Sequence, residues 1–371
     1  MTNGSVCGLV ARRACLPLRR YLGLAASALL AAAAGTAPAD ETDMAGCAMI
    51  DADAARLACY DRAAGRAAGP VMPARVEPPP LPEARRQSVA GDFIGGSDGT
   101  VHGGSALAYK WELDDDTRFG VLRLRTHKPN YFLFARYSDA PNEAPSSPTL
   151  GTATAIDLRS TEAKYQLSFK TKVAQGLFDR RLDLWVALTQ QSNWRLYSPS
   201  APFRETNYEP EAMAVLHTDM ALPLGLRWRF VNFGFVHQSN GRGAPLSRSW
   251  NRVYAQFAVE RGDFSVLVRP WWRLPESGGN DNNPDILNFL GRGDLLAVYQ
   301  PSDSGHSFAL LARNNLSVDH NRGALQLDWR FPLYRNLKGY LQLFSGYGAS
   351  MIDYNYRQTT VGIGISLSDW Q

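Results

Sequence analysis

The sequence predicts an all-β chain, an antiparallel β-barrel that crosses a membrane, preceded by a short N-terminal extension. Three observations predict it. Stretches of about ten residues alternate apolar and polar side chains, aromatic residues gather at their ends, and beyond residue 39 no run of about 18 apolar residues offers a spanning helix. The last stretch shows the alternation best, with Val361, Ile363, Ile365 and Leu367 between Gly362, Gly364, Ser366 and Ser368. Further back, Leu325, Leu327, Trp329 and Phe331 alternate with Gln326, Asp328 and Arg330. A soluble sandwich has one apolar face per strand too. Strand length and the aromatic residues Trp228, Trp271, Trp272, Tyr347 and Trp370 decide for the membrane, because such rings settle at the lipid–water boundary.

Taken in order, residues 1–39 read as a secretory signal peptide. Arg12, Arg13, Arg19 and Arg20 precede the apolar Leu22–Leu30 stretch and an alanine run, and the small residues there suit cleavage after Ala37 or Ala39. Cys7 and Cys15 leave with that peptide, so Cys47 and Cys59 are expected to pair as a short-loop disulfide in an exported chain. Residues 40–68 are alanine-rich and predict one or two short helices around that bridge. Residues 69–87 contain Pro70, Pro73, Pro78, Pro79, Pro80 and Pro82, a composition that forms an extended linker rather than a core. The barrel module is expected over 88–371. The formal net charge is only +4, and the basic residues are interspersed with acids and aromatics, which gives nucleic-acid binding no support.

The chemistry concentrates between residues 237 and 252. In Phe233-Gly234-Phe235-Val236-His237-Gln238-Ser239, alternation puts Phe233, Phe235, His237 and Ser239 on one face. Neighbours on one face lie roughly 7 Å apart, near enough for a leaning imidazole to reach a serine hydroxyl. In the next strand Asn251 shares its parity with Val253, Ala255, Phe257 and Val259. A hairpin through 241–249 would bring Asn251 beside His237 on an apolar surface. The plainer alternative is that the three polar residues mark strand ends at the water boundary. On a barrel the apolar face points outward, so a working cluster there would act on lipid.

The His237–Arg252 block resembles the outer-membrane phospholipase A family, as do Phe203–Pro210, Lys128-Pro129-Asn130-Tyr131, Asn283-Pro284-Asp285 and Ser345-Gly346-Tyr347-Gly348. The resemblance covers roughly residues 105 to 371. It implies a twelve-stranded barrel in the outer membrane of a Gram-negative bacterium, with the site facing the outer leaflet. The implied activity is hydrolysis of phospholipid and lysophospholipid acyl esters by a calcium-dependent homodimer. Residue by residue, it makes Ser239 the nucleophile, His237 the base, Asn251 the residue orienting the ring and the Gly241 amide an oxyanion donor. It assigns Ca²⁺ to the Arg242 carbonyl, Ser247 and, from a second subunit, Ser200. Ala244 and Asn282 stand where family members place acids, which puts a calcium site within one subunit in doubt.

His102, His127, His217, His306 and His320 lack metal-ligand spacing and read as turn, lumen or boundary residues. Gly95–Gly99 has no strand before it and no helix after it to make a phosphate loop, and Asp281 and Asp285 read as a solvated turn, with calcium binding as the alternative. A passive diffusion channel is the rival function, and a lipid A deacylase a weaker third reading.

Overall fold

Antiparallel pairing closes residues 131–366 into a barrel of twelve strands in a computed structural model that describes residues 44–65, 105–277, 279, 281–334 and 337–367. The strands are β1 Tyr131–Ser138, β2 Thr161–Gly176, β3 Leu182–Trp194, β4 Phe203–Ala221, β5 Arg227–Ser239 and β6 Ser249–Arg261. They continue with β7 Phe264–Leu274, β8 Gly293–Tyr299, β9 Ser307–Asn314, β10 Gly323–Tyr334, β11 Leu337–Tyr347 and β12 Arg357–Ser366. Each pairs with the next in sequence, and β12 pairs with β1 to close the ring. Closure leaves no strand edge unpaired, the condition a sheet must meet in lipid. A three-residue strand, Leu124–Thr126, adds to the edge of β2 opposite β3, beyond the start of β1.

The predicted alternation is the inside–outside code of this barrel. Leu325, Leu327, Val361 and Ile363 face outward, exposed, whereas Asp328, Arg330, Gln342 and Thr360 are buried in the lumen. Strand lengths run from 7 to 19 residues rather than clustering at ten. Trp271 departs from its expected place: it is buried inside the barrel, and only Trp272 faces out. Adjacent strand residues point to opposite faces, so the two tryptophans cannot both join an outer belt. Connections at one end are short (177–181, 222–226, 262–263, 300–306), and those at the other are long (139–160, 195–202, 240–248, 275–292, 348–356).

Side chains occupy much of the lumen and leave a cavity of about 210 Å³ bordered by Trp111, His127, Glu209 and Arg252. Helix α3, Ala106–Trp111, is capped by the Ser105 hydroxyl and inserts Leu107 and Trp111 against Trp185 and Phe230. Lys170 Nζ lies 3.2 Å from the Trp111 ring centroid, and Lys172 bridges Asp183 at 2.8 Å and Glu112 at 3.0 Å. This packing narrows the bore that the channel reading needs.

Residues 44–65 belong to a separate unit. Helices α1 (Met44–Cys47) and α2 (Asp53–Ala63) are joined by a Cys47–Cys59 disulfide with Cα atoms 5.6 Å apart. The signal sequence, the proline linker, Gly95–Gly99, His102 and Trp370 lie outside the described residues.

Candidate active site

The β5–β6 hairpin sets the cluster by register. His237 pairs directly with Asn251 and Ser239 with Ser249, on the face that carries the exposed Phe233, Phe235 and Val253. His237 Nδ1 and Asn251 Oδ1 are 2.8 Å apart. The Asn251 amide nitrogen donates to Glu276 Oε1 at 3.4 Å, so its carbonyl oxygen is the atom left facing the ring. An amide oxygen only accepts, so Nδ1 carries the proton and Nε2 is the free basic nitrogen. Among the described residues no hydrogen bond yet joins Ser239 to His237, a contact that often tightens only with substrate.

Behind this face an inward set interleaves with the outward one. Gln238 Oε1 accepts Trp250 Nε1 at 2.9 Å and Arg252 Nη1 at 3.0 Å. Arg252 continues to Glu209 at 3.3 Å, which also holds Lys128 at 2.7 Å. Each outward residue therefore sits between lumen side chains that are themselves held, and the pairing register is locked from inside.

The loop after Ser239 is built on buried polar groups. Asn240 donates to Glu205 at 3.1 Å and to the Leu246 carbonyl at 2.8 Å, and its Oδ1 accepts the Arg242 and Arg248 amides. Gly241 has φ +58, a left-handed conformation that suits glycine, and among the described residues no acceptor takes its N–H. Arg248 is fully buried and donates to the Pro245, Ser247 and Ser146 carbonyls. Asn283, also fully buried, accepts the Ser249 N–H at 3.0 Å.

The expected calcium residues lie in two places. Arg242 is exposed and Ser247 half-buried in this loop, whereas Ser200 is exposed, at φ +60, in the 195–202 loop. Their oxygens are neutral and hard, chemistry that fits Ca²⁺. Asn282 donates its amide to Ser247 Oγ at 2.8 Å, and among the described residues no group of three His, Cys, Asp or Glu side chains forms a metal cluster. Asp281 and Asp285 are not a solvated turn: Asp281 pairs with Arg273 at 2.7 Å and Asp285 accepts the Tyr354 hydroxyl at 2.5 Å. Local pairing with a part-buried arginine and a tyrosine won over hydration. His127 sits in the lumen 3.0 Å from Glu211, His217 lies 3.2 Å from Asp183, and His306 stacks on Trp329.

Sequence reasoning did not find Glu276, Gln238, Glu205 or Asn240. Glu276 carries no motif; the β6–β7 register sets Leu274 opposite Asn251, and Glu276 follows two residues later. Burial, with Asp281 nearby, pushes its carboxyl above the ordinary value.

Fold and site define a transmembrane barrel with Ser239, His237 and Asn251 gathered on its outward face. The phospholipase A1 family model matches residues 107–367. Phospholipase A1 of Klebsiella pneumoniae is 37% identical over 248 residues, covering 66% of this chain and 82% of the relative. That of Escherichia coli K12 is 36% identical over the same span and shares. Among solved structures, outer membrane phospholipase A from Escherichia coli has a TM-score of 0.60 and 33% identity, covering 68% of this chain and 96% of that one. The Salmonella typhi outer membrane phospholipase dimer with bound calcium has a TM-score of 0.61 and 30% identity, covering 71% and 98%. The chain belongs to the phospholipase A1 family.

Proposed function

We propose that this protein is an outer-membrane serine hydrolase that cleaves acyl esters of phospholipids and lysophospholipids as a calcium-dependent homodimer, with its site in the outer leaflet. The observation that carries the reading is the 2.8 Å His237–Asn251 contact beside Ser239 on an apolar, outward wall. Membrane lipid is the substrate that meets that wall. The long connections on the Ser239 side match the extracellular loops of such barrels.

In this mechanism the Ser239 oxygen attacks the ester carbonyl while His237 Nε2 takes its proton. Nε2 then protonates the departing alcohol oxygen as the acyl–oxygen bond breaks, which leaves an acyl-serine. Water, deprotonated by the same nitrogen, releases the fatty acid and restores the hydroxyl. Asn251 holds the ring in the tautomer with Nε2 unprotonated. The Gly241 N–H donates to the oxyanion. Bound Ca²⁺ would add Lewis-acid stabilisation of that charge, held by the Arg242 carbonyl, Ser247 and Ser200 of the second copy.

The test is fatty-acid release from phospholipid–detergent micelles, with Ca²⁺ and with chelator, by wild type and Ser239→Ala. Calcium-stimulated release that Ser239→Ala abolishes, in a barrel that stays heat-modifiable on gels, is the expected result. Release that survives Ser239→Ala refutes the reading.

A further inference from the structure

The loop that follows Ser239 is folded around one side chain. Pairing between β4 and β5 ends at Tyr208 opposite Ser239, and β4 begins earlier, at Phe203, so Glu205 stands alongside the chain where it leaves the nucleophile. Asn240, 3% exposed, has every hydrogen-bonding position of its amide occupied. Its Nδ2 donates to Glu205 Oε1 at 3.1 Å and to the Leu246 carbonyl at 2.8 Å, and its Oδ1 accepts the Arg242 N–H at 3.3 Å and the Arg248 N–H at 3.0 Å. Turning the amide over would set oxygen against two oxygens and nitrogen against two N–H groups, so only one orientation is allowed.

The contact from Asn240 Oδ1 to the N–H two residues on makes an Asx turn, which skips the N–H in between. That N–H belongs to Gly241, at φ +58, and among the described residues no acceptor takes it. Its freedom is what oxyanion donation requires, and its aim depends on Asn240. Glu205 in turn is 1% exposed, and its Oε1 accepts both Asn240 Nδ2 and, at 2.8 Å, the Ile352 N–H. One carboxylate oxygen therefore fastens the loop after Ser239 to the 348–356 connection. At that depth, removing it leaves two buried N–H groups without an acceptor.

We propose that Glu205 is a positioning residue for the ester hydrolysis, holding the Gly241 N–H, through Asn240, where the oxyanion forms. The proposal rests on the phospholipase reading above. Glu205 shares the buried, inward face of β4 with Asn207, Glu209 and Glu211, away from the wall that meets lipid. It touches no substrate, so its removal acts on the transition state and not on binding. A neutral ester carbonyl gains little from the Gly241 N–H, whereas the charged oxygen gains much, and a donor displaced by about 1 Å forfeits most of that gain. What Asn240 needs from position 205 is an acceptor oxygen rather than a charge, so an amide of the same shape should serve.

The experiment measures kcat and KM for dipalmitoylphosphatidylcholine in mixed micelles at saturating Ca²⁺, for wild type, Glu205→Leu, Glu205→Gln and Asn240→Ala. Alongside it runs the affinity of each for a long-chain alkyl trifluoromethyl ketone. Ser239 Oγ adds to the ketone carbon, its proton passes to His237 Nε2, and the ketone oxygen becomes an oxyanion, so this affinity reads the Gly241 donor without ester turnover. Glu205→Leu is expected to lower kcat roughly tenfold at unchanged KM and to weaken the ketone by the same factor. Asn240→Ala is expected to lower kcat and ketone affinity about 100-fold, and Glu205→Gln to stay within about threefold of wild type in both. If Glu205→Leu does not give a heat-modifiable barrel, Asn240→Ala carries the same paired readout. A folded Glu205→Leu with wild-type kcat, a fall in kcat without a matching loss of ketone affinity, or a glutamine as damaging as the leucine overturns the assignment. Wild type inert on the ester overturns the phospholipase reading and the assignment with it.

Discussion

In the proposed mechanism Asn251 acts through one oxygen, the Oδ1 that faces His237 Nδ1. It supplies no charge to a developing imidazolium, so its contribution is orientation, and orientation is lost when the amide is removed. Asn251→Ala should lower kcat on the order of 10- to 100-fold with little change in KM, measured on micellar phospholipid. An equal rise in KM would point instead to substrate binding. The amide is in turn aimed by Glu276 at 3.4 Å, a long and therefore weak hydrogen bond. Glu276→Leu should cost about threefold in kcat, while Glu276→Gln, which keeps an acceptor, should restore most of it. Failure of the glutamine to rescue would separate Glu276 from the orientation of Asn251. The two residues differ in how far sequence reveals them. Asn251 was visible because period two puts it on an apolar face where an amide has no packing role. Glu276 lies past the end of β7 in a loop whose path no local pattern fixes.

At the level of elements, the β5–β6 hairpin works because its two faces are specified separately. Outward parity, legible from the alternation of Phe233, Phe235 and His237, delivers the cluster, and the inward residues Gln238, Trp250 and Arg252 hold the register. Gly234 is the least obvious part of this design. A β-carbon there would meet the Tyr254 ring at 2.2 Å, and that ring reaches across to Glu211 and Asn232. Gly234→Ala should therefore destabilise the barrel by about 1–3 kcal/mol, seen as a lower temperature for loss of heat-modifiable mobility. A neutral outcome would mean that the tyrosine moves freely. In the sequence Gly234 reads only as a weak point in a strand, since nothing local announces that a partner strand's ring occupies the space its side chain would need. The same limit explains Trp271. Parity alone places it opposite Trp272, yet composition suggested an aromatic belt, and only the lumen packing against Trp250 gives the large inward ring a reason.

Across the barrel, the long connections and the start of β4 form one polar assembly at the end that carries Ser239. Asp353 accepts both Arg204 Nη groups, at 2.8 and 3.2 Å, and also Ser350 and Asn142, while Glu205 links Asn240 to the Ile352 amide. Burial alone would raise the Asp353 carboxyl, but Arg204 and these donors hold it below its ordinary value of 3.8. A depressed folded value means that the stabilisation is complete above about 3.8 and is lost as pH falls through the lower folded value. Asp353→Asn should thus cost about 3 kcal/mol at neutral pH, and the gap to wild type should close in stronger acid. A gap that persists there would assign the loss to packing. The proposed second copy follows from a different shortage. Ca²⁺ takes 6–8 oxygens, and the Arg242 carbonyl and Ser247 offer two in one subunit, with Ala244 and Asn282 supplying no carboxylate. A cation held by so few neutral donors binds well only where another protomer completes the shell, so calcium affinity and dimerisation must be linked, each strengthening the other by the same factor. Sedimentation in detergent should show Ca²⁺ tightening the wild-type dimer about tenfold relative to chelator. Ser247→Ala should erase that dependence while leaving the monomer folded. A dimer indifferent to Ca²⁺, or a calcium effect undiminished in Ser247→Ala, would remove the cation from the interface and return the oxyanion to the Gly241 amide alone.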